Sequence, residues 1–166
     1  MVDDVRIRAA AMPADAEALA RVYVSSAELH AALDSRFYRV PDAEVVAGRY
    51  RQPASGEDLA ILVAEADGEV VGMAQVARAP EPHPASMIRP APTATIDVAV
   101  VPGWRGRGLG ARLMLAAEAL ARERGARRVL LDVAAANQRA LRFYQHRLGY
   151  RPLGSLLEKR LVAEEN

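Results

Sequence analysis

The spacing of apolar positions alternates along the chain between the two-residue period of strands and the 3.6-residue period of helices. Alternation and short apolar runs predict seven strands, over residues 5–9, 59–65, 69–76, 95–101, 128–133, 150–153 and 156–162. Helical spacing and capping residues predict four helices, over residues 14–33, 41–51, 108–124 and 137–147. Residues 79–92 contain five prolines and are therefore predicted to form a loop.

The order of these elements favours one α+β domain. Ala66-Asp67-Gly68 separates two strand patterns and predicts a hairpin, while the strand–helix–strand order in residues 95–133 predicts a right-handed βαβ unit. The length of 166 residues is that of one domain. We therefore expect residues 1–166 to form a single domain with a mixed central sheet of about six to seven strands and about four flanking helices.

The stretch between the strand 95–101 and the helix 108–124 carries the most specific chemistry. It reads Pro102-Gly103-Trp104-Arg105-Gly106-Arg107-Gly108-Leu109-Gly110-Ala111. Glycines remove the Cβ atoms that would keep a ligand away from the backbone, and the first N–H groups of a helix have no partners within it. The helix dipole and the two guanidinium groups favour an anion at this place. The sequence therefore predicts a diphosphate-binding loop.

Two well-known phosphate loops compete with this interpretation. Gly103 and Gly108 have the spacing of a Walker A loop, but Leu109-Gly110 stands where Lys-Ser/Thr is required, which excludes that loop. Gly106-x-Gly108-x-x-Ala111 matches a dinucleotide fingerprint, with Asp132 about 20 residues further on. In that fingerprint the first glycine follows the strand directly, whereas Pro102-Gly103-Trp104-Arg105 intervenes here. A nicotinamide-dinucleotide protein remains the alternative from a different class.

Composition limits the kinds of site the chain can form. The chain has no cysteine, which excludes disulfides, thiolate metal ligands and a cysteinyl-enzyme intermediate. Its three histidines (His30, His83 and His146) are scattered, so we expect no metal site. No apolar run approaches the ~20 residues needed to cross a bilayer, and the acidic start Met1-Val2-Asp3-Asp4 lacks the apolar core of a signal peptide. We therefore expect a cytoplasmic protein without a membrane partner.

The net charge of +1 conceals an uneven distribution. Residues 1–103 carry 9 arginines and 15 acidic residues, whereas residues 104–151 carry 11 arginines and 3 acidic residues. A basic segment around a phosphate loop suits a polyanionic cofactor, and an acidic remainder suits a cationic substrate. Aromatic residues are 5% of the chain and do not interleave with the arginines, so nucleic-acid binding is not expected.

A second motif lies in the predicted helix 137–147. The stretch Asn137-Gln138-Arg139-Ala140-Leu141-Arg142-Phe143-Tyr144, followed by Gly149-Tyr150, fits the pattern Asn-x-x-Ala-x-x-x-Tyr with a later Gly-Phe/Tyr. The first motif, Arg105-Gly106-Arg107-Gly108-Leu109-Gly110, matches Arg/Gln-x-x-Gly-x-Gly/Ala. With both motifs in this order, the chain resembles the GNAT N-acetyltransferases, closely so over residues 59–152.

The resemblance implies a GNAT fold, acetyl-CoA as cofactor and direct acetyl transfer to a primary amine. It also implies a splayed pair of parallel strands, with pantetheine in the opening beside the strand 95–101. The cofactor contacts implied are Val98, Ala99, Val100, Arg105, Gly106, Arg107, Gly108, Leu109, Gly110, Ala111, Asn137, Ala140 and Tyr144. Tyr144 also has the family's position for the acid that stabilises or protonates the leaving thiolate.

The motifs say less about the base and the acceptor. Asp97 lies just before the splayed region, where family members often carry an acidic residue, and is the candidate base; action through water or a purely orienting role stays open. Glu28 and His30, late in the first long helix where the family forms its substrate wall, are predicted to contact the substrate and are, with His83 in the proline-rich loop, further candidates for the base. The favoured acceptor is a small cationic amine. The alternatives are a peptide or protein acetyltransferase acting on an N-terminus or lysine, and a non-catalytic acyl-CoA-binding module; a homodimer is frequent in the family.

Overall fold

Five strands and four α-helices make up the computed structural model, which describes residues 4–52, 59–159 and 161. In chain order they are β1 (Arg6–Ala9), α1 (Ala16–Leu33), α2 (Ala43–Arg51), β2 (Leu59–Ala66), β3 (Glu69–Arg78), β4 (Thr93–Val100), α3 (Leu109–Glu123), β5 (Arg128–Leu130) and α4 (Gln138–Arg142). A 3₁₀ turn, Pro102–Trp104, follows β4, and a π-helical turn, Phe143–Arg147, continues α4. None of the described helices is both long enough and apolar enough to cross a bilayer.

The strands form one sheet in the order β1-β2-β3-β4-β5, in which β4 and β5 are parallel and all other neighbours antiparallel. The hairpin between β2 and β3 is confirmed, and Ala66 pairs with Glu69 across it. Its two connecting residues, Asp67 and Gly68, have φ angles of 51° and 79°, which matches the twist that a two-residue hairpin needs. The mixed sheet predicted from the sequence is therefore present.

The sheet is covered on both faces, and each face has its own apolar core. On one face α3 buries Leu109, Leu113 and Met114 against the sheet. On the other face α1 and α2 pack a second cluster that includes Leu19 and Tyr50. Each fully buried leucine stabilises the fold by about 1.5–3 kcal/mol. β4 therefore lies between two packed apolar layers.

The parallel pair separates soon after it begins. β5 pairs with β4 only from Thr93↔Arg128 to Thr95↔Leu130, whereas β4 itself continues to Val100. The predicted strand 128–133 therefore ends at Leu130, where the chain leaves β4. The gap beside residues 96–100 of β4, called the split below, confirms the splayed parallel pair.

The prediction of two closing strands, at 150–153 and 156–162, is wrong for the residues that the structure describes. Residues 150–159 and 161 contain no strand, while 160 and 162 lie outside the described residues. Pro152 has no N–H to donate to a ladder, and Leu156 and Leu157 are 90% and 89% exposed. The described sheet therefore has five strands rather than six to seven, and the apolar alternation that suggested two more corresponds to an exposed segment.

Candidate active site

The split opens into a groove of about 2320 Å³ that is lined by α1, β4, the segment after β5, α4 and the π-helical turn. Backbone groups of alternate β4 residues point into it. The N–H of Val101 donates to the carbonyl of Val71 on β3 (3.0 Å), so the polar backbone groups of Val98 and Val100 face away from β3, towards the split. Ala99 is different: its backbone faces β3 and its side chain is buried in the core under α1.

The glycine-rich loop ends β4 and begins α3. Gly106 and Gly108 have φ angles of 80° and 85°, which side chains with a Cβ rarely adopt. The first N–H groups that bond within the helix are those of Ala111 and Arg112, which both donate to the Gly108 carbonyl (3.1 and 3.2 Å). The N–H groups of Leu109 and Gly110 precede them and point out of the helix start.

Space in front of this loop is open. A Cβ built on Gly108 would meet no protein atom within 4 Å, and one on Gly110 would meet only Phe143, at 3.9 Å. Because the Leu109 side chain is fully buried in the core, Leu109 can offer a ligand only its backbone. An open cradle with outward N–H groups at a helix start fits a diphosphate.

Three arginines, Arg105, Arg107 and Arg139, lie beside the loop, and each makes different contacts. Arg105 donates from Nε to the Val100 carbonyl (2.7 Å) and from Nη2 to the Ser25 carbonyl (3.1 Å), which ties the loop to β4 and to α1. Arg107 lies over the Trp104 ring, with its guanidinium carbon 5.5 Å from the ring centroid. The third, Arg139, was not among the site residues predicted from the sequence.

The Nη2 of Arg139 lies 3.1 Å from the place where a Cβ on Gly106 would be. Burial and then the charge of Arg139 lower the pKa of Arg105, so the two guanidinium groups repel each other beside the loop. An anion between them would relieve this repulsion. In the sequence, Arg139 stands at a position of the second motif for which the pattern specifies no residue, so its positive charge was the sole indication of this role.

The second motif contributes a helix cap and a phenol. The Asn137 side chain accepts a hydrogen bond from the Ala140 N–H (3.1 Å) and caps α4, so this residue, expected to contact the cofactor, has a structural role. Tyr144 lies in the π-helical turn, lines the groove and packs against Phe143 and Tyr150, with ring centroids 5.0 and 5.8 Å away. Burial, and then the negative charge of Asp97, raise the pKa of Tyr144 to about 12.

Asp97 lies on β4 opposite Gln75 of β3 and lines the same groove. Burial raises the pKa of this carboxyl group, and Asp132 raises it further, whereas Arg49 on α2 lowers it. A carboxylate with a raised pKa is a better proton acceptor than an ordinary one. The structure thus brings Asp97 close enough to Tyr144 for its negative charge to raise the pKa of the phenol.

The two residues predicted to contact the substrate are separated by the structure. His30 lines the groove, where its Nδ1 donates to the Ser26 carbonyl (2.8 Å) and its ring lies 5.1 Å from that of Tyr38. Glu28 instead lines a smaller pocket of about 330 Å³ between α1 and α2. Phe37 and Tyr38, which sequence reasoning did not consider, extend the aromatic wall beside His30.

A metal site was not expected from the sequence. Among the residues that the structure describes, no group of three or more histidine, aspartate or glutamate side chains is placed to hold a metal ion.

The model of the Acetyltransferase (GNAT) family matches residues 26–150, well over half of the chain. Uncharacterized N-acetyltransferases of Mycobacterium tuberculosis (strain ATCC 25618 / H37Rv) and Mycobacterium bovis (strain ATCC BAA-935 / AF2122/97) are each 34% identical to the chain over 103 residues. Each alignment covers 62% of this chain and 60% of the relative, so the chain matches less than two thirds of the length of these relatives.

Solved structures share the fold. A tetramutant of the BH1408 protein from Bacillus halodurans superposes with a TM-score of 0.81 at 25% identity, covering 94% of this chain and 99% of that one. The aminoglycoside N-acetyltransferase AAC(6')-Iy in complex with CoA has a TM-score of 0.69 at 18% identity, covering 94% and 93%. At that identity the second likeness shows the fold alone.

Proposed function

The chain belongs to the GNAT acetyltransferase family, and on that premise we propose that it transfers an acetyl group from acetyl-CoA directly to the primary amine of a small cationic molecule. One observation carries the proposal. The split beside β4 and the side chains of Tyr144 and Asp97 border one groove, and Arg105, which precedes the glycine cradle at the start of α3, lines it as well. A protein that only bound the cofactor would not need the side chains of Tyr144 and Asp97 in this groove.

The residues that would hold the cofactor fall into two sets. The backbone at Gly106 to Gly110, with Arg107 and Arg139 nearby, would bind the diphosphate, since outward N–H groups and cations favour phosphate oxygens. The backbone groups of Val98 and Val100 that face the split would pair with the amide groups of pantetheine. Arg105 already donates to the Val100 carbonyl, so its main part would be to hold the loop against β4 and α1.

Bound acetyl-CoA would supply the activated acyl group, and the chain would handle two protons. A phenol whose pKa is raised to about 12 keeps its proton at neutral pH, so Tyr144 offers a hydrogen-bond donor to the leaving sulfur. An ordinary thiol has a pKa near 8.5, so complete proton transfer from Tyr144 to the thiolate is uphill. We therefore expect Tyr144 to stabilise negative charge by donating a hydrogen bond, rather than by losing its proton.

The second proton belongs to the acceptor. An alkylammonium group has an ordinary pKa near 10.4 and cannot attack until it loses a proton. Asp97 is the acidic side chain of β4 in the groove, and its raised pKa suits a proton acceptor. Transfer of the acceptor's proton to Asp97 frees the nitrogen lone pair for attack.

Charge and relatives both support a small cationic acceptor. The groove as a whole is lined by arginines as well as carboxylates, but Asp97 and Asp132 both lie beside the split, where they favour a positively charged ligand. The fold is shared with aminoglycoside N-acetyltransferases, one of them solved with a bisubstrate analogue made of CoA and acetylneamine. That likeness concerns the fold, so the acceptor of this chain rests on its own carboxylates.

The proposal is tested by heating the purified protein with acetyl-CoA, CoA, NADH or ATP. A ligand at 100 times its Kd stabilises a protein by about 2.7 kcal/mol, which shifts the Tm of a chain of this length by several degrees. We expect acetyl-CoA and CoA to raise the Tm, and thiol release to follow the addition of an alkylamine. A shift with NADH but not with CoA would instead support the dinucleotide alternative. CoA binding without thiol release for any amine would support a binding module.

A further inference from the structure

Two carboxylates stand at the same level on opposite sides of the split. β4 and β5 pair in parallel as far as Thr95↔Leu130, and Asp97 and Asp132 are each two residues beyond that last pair. Matched residues of parallel strands point to the same face, so a continued ladder would place these two side chains side by side, about 4.8 Å apart. The strands separate before that point, and both carboxylates line the groove.

Asp97 and the side chains around it include one cation and two carboxylates. Asp132 raises the pKa of Asp97 and Arg49 lowers it, while the charge of Asp97 in turn affects the phenols of Tyr50 and Tyr144. The titratable and charged side chains coupled to Asp97 are Arg49 and Tyr50 from α2, Tyr144 from the π-helical turn and Asp132 from the far side of the split. Tyr23 from α1 lines the same groove and acts on Tyr50. Among these described neighbours, Arg49 alone balances the two carboxylates, so a further cation between them is favoured.

We propose that Asp97 and Asp132 together bind the ammonium group of the acceptor, and that Asp132 is a substrate-binding residue of the acetyltransferase. The inference rests on the proposed function. The ammonium group donates hydrogen bonds to both carboxylates, and one proton then passes to Asp97. This leaves a neutral amine with a free lone pair, a neutral Asp97 and an ionised Asp132, and Asp97 later returns the proton to water in the groove.

The substrate class follows from this arrangement. A strongly basic alkylamine is an ammonium ion at neutral pH, so it gains from two facing carboxylates and needs a proton acceptor. An arylamine is uncharged at neutral pH and gains from neither. We therefore expect the site to prefer alkylamines, with Asp132 as a main source of that preference.

The coupling between the carboxylates can be measured without turnover. Carbon-13 NMR of protein labelled at aspartate carboxyl groups follows the titration of Asp97 in the CoA complex. We expect Asp132→Asn to lower the apparent pKa of Asp97 and Arg49→Gln to raise it, because the first removes a like charge and the second an opposite one. Asp67→Asn is the matched control: Asp67 lies in the β2–β3 hairpin, outside the groove, and its replacement should leave the titration unchanged.

The role of the acceptor's positive charge is tested by comparing two acceptors, benzylamine and aniline. They differ by one methylene and by their charge at neutral pH. In Asp132→Asn the KM for benzylamine should rise about tenfold or more, since a charge-assisted hydrogen bond is lost. The KM for aniline should stay within twofold in the same variant, and Asp67→Asn should change neither.

The outcomes distinguish a failure of the Asp132 assignment from a failure of the proposed function. If the wild-type enzyme acetylates amines but Asp132→Asn leaves both the Asp97 titration and the benzylamine KM unchanged, the assignment of Asp132 is wrong and the proposed function stands. Equal losses for benzylamine and aniline would show a structural role and also overturn the assignment. If the wild-type chain binds CoA but acetylates no amine, the proposed function and the acceptor site fail together.

Discussion

The two ends of α3 allow one prediction to be worked out in detail. Gly108 at the start of α3 and Gly125 just beyond its end have φ angles of 85° and 86°. At both, an added Cβ would meet no protein atom within 4 Å. Gly108→Ala and Gly125→Ala should therefore cost the same backbone strain, about 1–2 kcal/mol each, with no steric clash inside the protein. For a chain of this length that lowers the Tm by roughly 2–8 °C.

The two variants should differ only in cofactor binding. A methyl group on Gly108 enters the open cradle in front of α3, whereas one on Gly125 lies at the opposite end of the helix. We expect Gly108→Ala to weaken CoA binding at least tenfold, about 1.4 kcal/mol, and Gly125→Ala to leave the Kd unchanged. Calorimetric titration with CoA, beside a melting curve for each variant, measures both quantities. A Gly108→Ala protein with a lowered Tm and an unchanged Kd would refute the placement of the diphosphate at this loop.

Three further predictions concern the groove and the fold. Tyr144→Phe should lower kcat about 100-fold in a thiol-release assay and leave the CoA Kd within twofold, since only the hydroxyl is removed; a Kd that rises as much as kcat falls would assign Tyr144 to binding. Arg139→Gln should weaken CoA about tenfold or more by calorimetry, because a cation beside Gly106 is lost; an unchanged Kd would make Arg139 a surface charge. Asp15→Asn should lower the free energy of unfolding at pH 7 by about 2 kcal/mol, because the carboxylate of Asp15 accepts two hydrogen bonds from Arg8 (2.6 and 3.0 Å). Arg8 holds the pKa of Asp15 below its usual value in the folded state, so this stabilisation is complete above the unfolded pKa and disappears as the pH falls through the folded one. Urea unfolding at pH 7 and pH 3 should therefore show a difference from wild type that shrinks at the lower pH, and a constant difference would contradict the ion-pair explanation.

Sequence patterns predicted the parts of the fold that depend on neighbouring residues. The hairpin at Asp67-Gly68 and the helix that begins after Gly108 both need positive φ angles, and glycine at the required position is a local signal for them. The two closing strands were wrong because apolar alternation does not reveal whether a partner edge is available. Whether residues 150–159 join a sheet depends on the course of β5, which lies elsewhere in the chain.

The candidate site shows the same division. The loop and Tyr144 were located by motifs, but Arg139 comes to lie beside Gly106 only because α4 packs next to the start of α3, which no local pattern encodes. In contrast, the separation of Glu28 from His30 was foreseeable. Glu28 and His30 are two positions apart on α1 and therefore point about 200° apart around its axis, which favours different surroundings for the two side chains. From the sequence, Asp132 was considered only as part of a dinucleotide fingerprint. Its position opposite Asp97 could not be predicted, because that position follows from the pairing of β4 with β5.

The order of strands in the sheet, β1 to β5 in the order of the chain, has a consequence for how the protein forms. Each strand can pair with its predecessor as soon as it is synthesised, and no strand has to insert between two that are already joined. The connection from β1 to β2 is the long one, but the entropy of closing a loop rises only slowly with its length. β5 is the last strand along the chain, and it pairs by three residues only. The opening beside β4 is thus bordered by the strand that is synthesised last, after the four antiparallel strands that support it.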